Sequence, residues 1–446
     1  MSETINKLNY EISRVVELFL DQIKDQEIQI ISHFDTDGIS SAAIMVSCLK
    51  KLDQRFTLRI IKNLSKEIIE SLSKEKITLF LDLASGSLEQ IKQANLKKVF
   101  ILDHHEITSE IPENIEIVNP EIYDKHKISA SGIVYLFCRQ INEQNKDVAK
   151  LAILGMVGDS LEKNILELNH GILQDSDIQR KKGITIYPST RPLNRTLEFC
   201  SEPFIPGVTG NMQGVIELLR EAGIRPEEGK YKNLIDLEDE EIERLTTSIM
   251  LRNPKMKNKE LIGDIFLIKF FGKLEDVREI SAKINACSRF GQSAVALQLC
   301  LESSSAKKKA ESTHAKYRQL LLAGLKEVEN SEKIQGEKFL IINAKDKIKD
   351  TIIGTITSIL SHSSIYPEET TIVSLAYDKE KIKISARNVG SKGRNVRKVL
   401  ERVIKSMGGE EVGGHEFAAG CTITQEQEQE FLELLKKSLE LQVVKI

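Results

Sequence analysis

Four clusters of acidic and histidine residues punctuate the first 160 residues, and each directly follows a short apolar run. In order, the clusters contain Asp35 and Asp37, then Asp82, then Asp103, His104 and His105, and finally Asp159. Short apolar runs rich in Ile, Val and Phe are typical of buried parallel strands. In an open α/β sheet the ligand site lies beyond the carboxyl ends of such strands, so we expect the clusters to converge on one crevice. Like charges gathered there need a compensating cation, which predicts a divalent metal centre.

Length and composition limit the kind of protein that can carry such a centre. A chain of 446 residues predicts two or three domains, and its balanced charge, −3 overall, is typical of a soluble globular protein. We expect no membrane partner and a cytoplasmic location, because the sequence has neither a long apolar span nor a signal-like start. The six cysteines form no C-x-x-C pair, which favours buried free thiols.

The order of apolar and polar stretches predicts an α/β fold with two lobes. Up to about residue 190 the pattern alternates between helix and strand. It predicts a helix at 6–24, a strand that ends at His33, and further strands at 57–62, 77–82, 98–102 and 115–118. After these strands it predicts a helix with Ser129 or Ser131 as its N-cap. The domains predicted along the chain are a catalytic domain at 1–190, an inserted helical module at 191–301, a connecting helix at 302–333 and a second α/β domain at 334–446.

Several of the metal-site residues also have simpler interpretations. Asp35 and Asp37 are two residues apart, directly before Gly38, and can reach one or two cations. The simpler interpretation is that one of them is the N-cap of a helix and the other is an ordinary acidic residue of the turn. His33 adds a nitrogen ligand that suits manganese, iron or zinc better than calcium. Asp82 alone fits a helix cap as well as it fits a ligand.

The Asp103-His104-His105 cluster is more specific. Two adjacent imidazoles at the end of a strand point in different directions, which suits one for a metal and the other for substrate; a histidine pair within the core is the alternative. An aspartate beside a ligand histidine can fix its tautomer or bridge metals. Asp159 then supplies a further carboxylate.

Taken in order, D-x-D-G, D, D-H-H and G-x-x-G-D resemble the DHH phosphoesterase family, and "GGHEFAAG" near the C-terminus is similar to the glycine-rich signature of the family's associated second domain. The resemblance covers essentially the whole chain. It implies an N-terminal parallel-sheet DHH domain, a C-terminal DHH-associated domain that presents substrate, and two Mn²⁺ or Mg²⁺ ions. The implied ligands are Asp35, Asp37, Asp82, His104 and Asp159. The resemblance further implies catalytic roles for His33, which either binds the metal or supports one of its ligands, for His105 in phosphate contact or proton donation, and for Asp103 in bridging or orientation. Ala84 stands where the family pattern usually has glycine.

The C-terminal stretch 381–405 holds nine basic residues against the single acid Glu401. Ser385 and Arg387 lie on a predicted strand before a glycine-punctuated basic loop and a basic helix. Arginines and exposed backbone amides of this kind bind phosphates, although a merely basic surface helix is the alternative. In the glycine-rich signature, Gly413 and Gly414 permit close approach of the backbone, and His415 can donate to a phosphate.

Segments of the middle region, such as "STRPLNRTLEF" and "INACSRFGQSAVALQLCL", resemble the archaeal RecJ-like nucleases. These are relatives of bacterial RecJ and of the eukaryotic replisome scaffold that binds GINS. The resemblance implies a single-strand exonuclease of DNA replication or repair that acts on DNA or RNA. Its implied protein partners are GINS or a repair helicase, and Asn285 and Arg289 are additional candidates for nucleic-acid contact. Two alternatives are a phosphodiesterase for short oligonucleotides or cyclic dinucleotides, and a helicase- or GINS-associated scaffold with reduced catalysis. The low aromatic content favours backbone-led binding.

Overall fold

A computed structural model describes residues 3–123, 127–163, 165–201, 203–253, 261–363, 365–390, 392–409 and 412–440. The chain divides into two compact units. The first comprises Met1–Gly183 and Gly263–His314, and the second comprises Ile184–Ile262 and Ala315–Ile446.

The described helices follow one another along the chain as α1 (Glu3–Gln22), α2 (Thr36–Lys51), α3 (Lys66–Glu70), α4 (Leu88–Gln93), α5 (Ala130–Ile141), α6 (Ala149–Gly158), α7 (Glu167–Asp175), α8 (Leu193–Glu198), α9 (Met212–Glu221), α10 (Asp239–Arg252), α11 (Val277–Arg289), α12 (Ser293–Cys300), α13 (Ser304–Asn330), α14 (Asp350–His362), α15 (Val396–Ser406) and α16 (Glu428–Glu440). The connecting helix predicted at 302–333 corresponds to α13. None of these helices is long and apolar enough to cross a membrane.

The strands form three sheets. They are β1 (Ile28–His33), β2 (Phe56–Ile61), β3 (Ile77–Leu81), β4 (Lys98–Leu102), β5 (Ile115–Val118), β6 (Gln179–Ile184), β7 (Ile262–Phe270), β8 (Lys273–Asp276), β9 (Lys333–Gly336), β10 (Phe339–Asn343), β11 (Thr371–Asp378), β12 (Lys381–Asn388), β13 (Gly413–His415) and β14 (Ala418–Thr424). The sheet orders are β2-β1-β3-β4-β5, β6-β7-β8 and β13-β14-β12-β11-β10-β9.

The five-stranded sheet of the first unit is parallel throughout, as the apolar runs predicted. Its strands contribute buried apolar side chains to a core on each face, and Phe19, Phe100 and Phe137 meet edge to face in one of these cores. Because all strands run the same way, the residues after β1, β3, β4 and β5 emerge at one edge of the sheet.

One of the apolar runs is not a strand. The run before Asp159 forms α6, and nearly all of its residues are buried. A segment that is apolar on every side shows no helical periodicity, so this run could not be distinguished from a buried strand in the sequence.

The module predicted at 191–301 is divided in the structure. Residues up to Ile262 belong to the second unit, where Leu197, Leu218 and Leu245 share a core. The rest of the predicted module, 263–301, packs into the first unit. Helix α11 contributes Ile280 and Ile284 to the core of that unit. This segment therefore packs with the first unit instead of forming part of a separate helical module.

The six-stranded sheet of the second unit is mixed, with β10 and β11 parallel and the other pairs antiparallel. Helix α14 covers β11 and β12, and α15 and α16 pack with the apolar side chains of β12 and β14. All six cysteines of the protein are free and buried, which confirms the prediction.

Candidate metal centre

The turn between β1 and α2 places Asp35 and Asp37. Asp35 is the N-cap of α2, and its Oδ1 accepts a hydrogen bond from the Gly38 backbone N at 3.0 Å. A Cβ at Gly38 would lie 2.3 Å from the His33 carbonyl oxygen. Glycine is therefore required here by the close approach of the backbone to the end of β1.

Asp37 is fully buried against the N-terminus of α5. Its Oδ2 accepts from the Ala130 N at 2.6 Å and its Oδ1 accepts from the Ser131 N at 3.0 Å. Ser129 is the N-cap of α5, as one of the two predicted choices, because its hydroxyl accepts from the Gly132 N. Two donors at a helix N-terminus hold this carboxylate in a fixed orientation.

Asp159 directly follows helix α6 and lies close to Asp37, because two glycines of the helix let it pack tightly against α2 and α5. A Cβ at Gly155 would lie 2.0 Å from the Ser131 Oγ and 2.1 Å from the Asp37 Oδ1, and a Cβ at Gly158 would lie 2.8 Å from the Thr36 Cβ. The G-x-x-G part of the motif is thus a packing surface. Asp159, the C-cap of α6, lies with its Oδ2 3.5 Å from the His104 Nε2.

Asp82 follows β3 in an unusual backbone conformation, with a φ of 59°, and Ala84 two residues later has a φ of 95°. The left-handed region favours glycine, which gives a physical reason for the glycine that the family pattern usually has at this position. Both carboxylate oxygens of Asp82 are buried and have no hydrogen-bond partner within the described part of the chain. The same holds for the Asp159 Oδ2.

Asp103 is held by protein donors. Its Oδ1 accepts from the His104 N at 2.8 Å and lies 2.7 Å from the His105 Nδ1, and its Oδ2 accepts from the Ser85 N at 3.0 Å. Although burial acts in the opposite direction, these contacts hold the pKa of Asp103 well below its usual range. Of the two predicted roles, bridging and orienting, the contacts favour orientation of His105.

Asn119 is a buried residue of this site that the sequence analysis missed. Its Nδ2 donates to the Ser85 Oγ at 2.9 Å and to the His105 carbonyl oxygen at 2.8 Å. It fixes both the loop that follows Asp82 and the loop that carries the histidines. Its position directly after β5 was the available signal, because polar residues at the ends of parallel strands face the same edge of the sheet.

The ligand atoms gather into three groups of three, each with its atoms within 4.8 Å of one another. The groups are His33, Asp35 and Asp82; Asp37, His104 and Asp159; and Asp82, His104 and His105. Asp82 and His104 each belong to two groups, so the three are continuous. The structure thus brings together every predicted metal ligand with His33 and His105, and these residues can bind metal.

The electrostatics of the cluster also fit a cation. Burial and the neighbouring charge of Asp37 raise the pKa of Asp159 to about 9, and burial together with Asp37 and Asp35 raises the pKa of Asp82 well above its usual range. Burial opposes protonation of His33, but the neighbouring carboxylates of Asp35 and Asp82 outweigh it and raise the pKa of His33 to about 10. Without a cation, these groups retain protons that a bound metal would displace.

The predicted substrate-binding residues lie on separate elements. Ser385 on β12 is buried beneath α14, and Arg387 donates to the Ser358 Oγ at 3.1 Å and to the Ala386 carbonyl oxygen at 2.8 Å. Both side chains are therefore engaged in packing and in contacts within the protein. On α11, Asn285 is half-buried and Arg289 is exposed.

The glycine-rich signature lies on β13 with its three predicted residues, Gly413, Gly414 and His415, exposed. Gly414 has a φ of 111°, and a Cβ there would lie 2.2 Å from the Ala418 carbonyl oxygen. This glycine is required by the tight pairing of β13 with β14. The roles of all the predicted substrate-binding residues stay predictions.

Comparison with known proteins agrees with these features. Residues 27–156 match the DHH family, N-terminal domain, residues 187–260 match the DHH-CID domain, and residues 336–441 match the DHHA1 domain. An uncharacterized protein of Methanocaldococcus jannaschii is 30% identical over 444 residues, which cover 95% of this chain and 96% of that protein. The single-stranded-DNA-specific exonuclease RecJ of Bacillus subtilis is 22% identical over 152 residues, which cover 30% of this chain and 19% of RecJ.

Two solved structures share the fold. Exonuclease RecJ bound to manganese matches with a TM-score of 0.60 and 15% identity, over 98% of this chain and 95% of that chain. CDC45 from Entamoeba histolytica matches with a TM-score of 0.69 and 12% identity, over 96% of this chain and 99% of that chain. The chain belongs to the DHH family, which includes hydrolases, and it shares its fold with exonuclease RecJ and CDC45.

Proposed function

We propose that the protein is a metal-dependent exonuclease that hydrolyses phosphodiester bonds of single-stranded nucleic acid by a two-metal mechanism, in DNA replication or repair. The observation that carries the proposal is the pair of buried Asp82 oxygens, which have no hydrogen-bond partner among the described residues and lie between two sets of histidine and carboxylate ligands. Burial of a carboxylate without hydrogen bonds is costly, so its retention at the junction of these sets favours a role as a ligand common to two cations.

In this proposal His33, Asp35 and Asp82 hold one divalent cation, and Asp37, His104 and Asp159 hold the other, with Asp82 reaching both. When bound, such a pair of ions lowers the pKa of water and stabilises the charge on the attacking and leaving oxygens. Manganese or magnesium suits this mixture of carboxylate and imidazole ligands. The choice of manganese is supported by exonuclease RecJ, which shares the fold and whose structure contains bound manganese.

His105 is the residue that we assign to proton transfer. Its Nδ1 is tied to Asp103, while its side chain is about half exposed, with a relative accessibility of 51%. The contact with Asp103 raises the pKa of His105 and favours the imidazolium. A charged ring held in this way can contact a phosphate oxygen or donate a proton to the leaving oxygen.

Substrate form is the finer part of the proposal. The single-strand preference is supported by the RecJ relative, whose name specifies single-stranded DNA. The exposed glycines and His415 of the second unit, with the basic helix α15, suit sequence-independent contacts to phosphates. The fold shared with CDC45 supports a partner in the replisome, such as GINS, and a repair helicase is the second candidate.

The test uses single-stranded DNA and RNA, labelled at either end, with Mn²⁺ or with EDTA. A closed circular single strand and a dinucleotide serve as competing substrates, and Asp82→Asn serves as the inactive control. We expect manganese-dependent shortening from one end, weak action on blunt duplex, and no cleavage of the circle. Cutting of the circle would overturn the exonuclease assignment, and rapid turnover of only the dinucleotide would favour the short-substrate phosphodiesterase. No turnover by a protein that binds manganese normally would favour the scaffold.

A further inference from the structure

The hairpin of the glycine-rich signature carries an aromatic side chain at its turn. His415 pairs with Ala418, so Glu416 and Phe417 form a two-residue connection between β13 and β14. Neither Glu416 nor Phe417 has a positive φ, so the backbone of this turn accepts most residue types. The local backbone therefore neither requires nor disfavours a phenylalanine.

Packing does not explain Phe417 either. Its side chain is exposed, with a relative accessibility of 37%. The described core of the second unit between β12, β14, α15 and α16 is complete without it. A single exposed apolar side chain is ordinary and does not by itself imply a ligand. What makes Phe417 a candidate is its place in the turn of the glycine-rich signature, which directly follows the exposed His415.

The turn is anchored on both sides, which makes the ring a fixed platform. The Phe417 carbonyl oxygen accepts from the Asn388 N at 3.1 Å, and the Glu416 carbonyl oxygen accepts from the Val396 N at 2.7 Å. The Asn388 Oδ1 in turn accepts from the Thr371 Oγ1 at 2.8 Å. A ring on a rigid turn loses little conformational freedom when a ligand packs on it.

The segment that contacts this turn begins with cationic side chains, although the turn itself contains the acid Glu416 and the Arg397 Nε also donates to the Glu401 Oε1 at 2.8 Å. Val396 is followed by Arg397 and Lys398, both exposed, and the Arg397 guanidinium donates to the Gly414 carbonyl oxygen at 3.1 Å. His415 is exposed on the strand just before the turn. A flat apolar ring among cations, beside open glycine backbone, matches a nucleobase flanked by its phosphates.

We propose that Phe417 stacks on a base of the bound single strand, while Lys398, Arg397 and His415 contact the neighbouring phosphates. This inference rests on the proposed function and deepens it. According to this proposal, the second unit makes one contact with a base, while its other contacts are with the sugar-phosphate backbone of the strand. It also provides a preference for unpaired bases, because a base stacked in a duplex cannot offer its face to the ring.

The test measures binding of a short fluorescent single strand to the full-length protein in EDTA, which prevents hydrolysis. Phe417→Leu is expected to weaken binding roughly tenfold to a hundredfold, whereas Phe417→Trp retains it. Ile365→Ala, which changes another exposed apolar residue of the same unit, serves as the control and should bind as the wild type does. Lys398→Ala should instead reduce the slope of log binding constant against log salt concentration by about 1, because one phosphate contact is lost. Phe417→Leu should leave this slope unchanged.

A series of strands with one abasic site at successive positions provides the decisive comparison. The wild type should lose affinity when the missing base is the stacked one, and Phe417→Leu should lose this dependence on position. If Phe417→Leu binds every strand as tightly as the wild type and keeps the same abasic profile, the stacking role is wrong while the proposed function stands. If the wild type binds no single strand at all, the proposed function itself is wrong.

Discussion

Asp82 and Asp37 both belong to the metal cluster, yet their removal should change the stability of the metal-free protein in opposite directions. Asp37 accepts two backbone hydrogen bonds at the start of α5, so its charge is compensated by the fold. The oxygens of Asp82 have no such partner among the described residues. We therefore expect Asp82→Asn to stabilise the metal-free protein and Asp37→Asn to destabilise it, while both abolish manganese-dependent hydrolysis.

The magnitudes follow from the contacts. Asp35 and Asp82 flank the same His33 Nδ1 atom, at 3.0 Å and 3.4 Å. Their ligand oxygens lie within 4.8 Å of each other, and two full charges at that separation repel by about 3–4 kcal/mol at an effective dielectric constant of about 20. Protonation and His33 relieve much of that repulsion, so the expected gain for Asp82→Asn is about 1 kcal/mol. Asp37→Asn loses one charged hydrogen bond and opposes an N–H with its own amide, which costs about 2–3 kcal/mol.

Urea denaturation of the two variants and the wild type in EDTA measures these differences, and a second series with Mn²⁺ measures the stabilisation that the metal provides. The wild type should gain stability with manganese, and neither variant should gain as much. A decrease in stability for both variants in EDTA, by similar amounts, would refute the assignment of Asp82 as an uncompensated ligand.

Three further results are expected. Gly155→Ala should destabilise the protein by about 1–3 kcal/mol and weaken manganese binding in calorimetry, because the added methyl group meets Asp37. Gly171→Ala on α7, where a Cβ meets nothing within 4 Å, should have neither effect. Equal effects of the two substitutions would contradict the packing argument. Ala84→Gly should raise the free energy of unfolding by about 0.5–1 kcal/mol because φ is positive there, and a loss would mean that the loop relaxes with alanine. The free energy of unfolding in EDTA should fall as the pH rises from about 4 to about 9, because the folded protein retains on Asp159 a proton that the unfolded chain releases. Asp159→Asn should flatten this fall, and an unchanged pH profile would contradict it.

The sequence predicted the parts of the site that depend on strand order. Strands β1, β3, β4 and β5 lie within a residue of their predicted bounds, so the convergence of Asp35, Asp82 and His104 was predictable from parallel topology alone. The origin of Asp159 was not, because an eight-residue apolar run has no periodicity that separates helix from strand. The glycines of α6 were recognised as a motif, but their contact with Asp37 depends on helix packing that only the fold defines.

The substrate-binding side was harder to predict because residue type does not reveal which contacts a side chain makes. Arg387 has the chemistry of a phosphate ligand, yet its guanidinium donates to groups of the protein itself. Asn119 has no special chemistry, yet it ties two loops of the site together. Similarly, the assignment of 263–301 to the first unit depends on core contacts between residues far apart in the chain.

The central claim, that one cluster holds two divalent cations, is tested most directly by anomalous diffraction from crystals grown with manganese. The claim predicts two adjacent manganese peaks. One should be bound by His33, Asp35 and Asp82, and the other should be bound by His104, Asp159 and Asp37. A single peak, or manganese bound elsewhere while Asp82 stays without a cation, would contradict it.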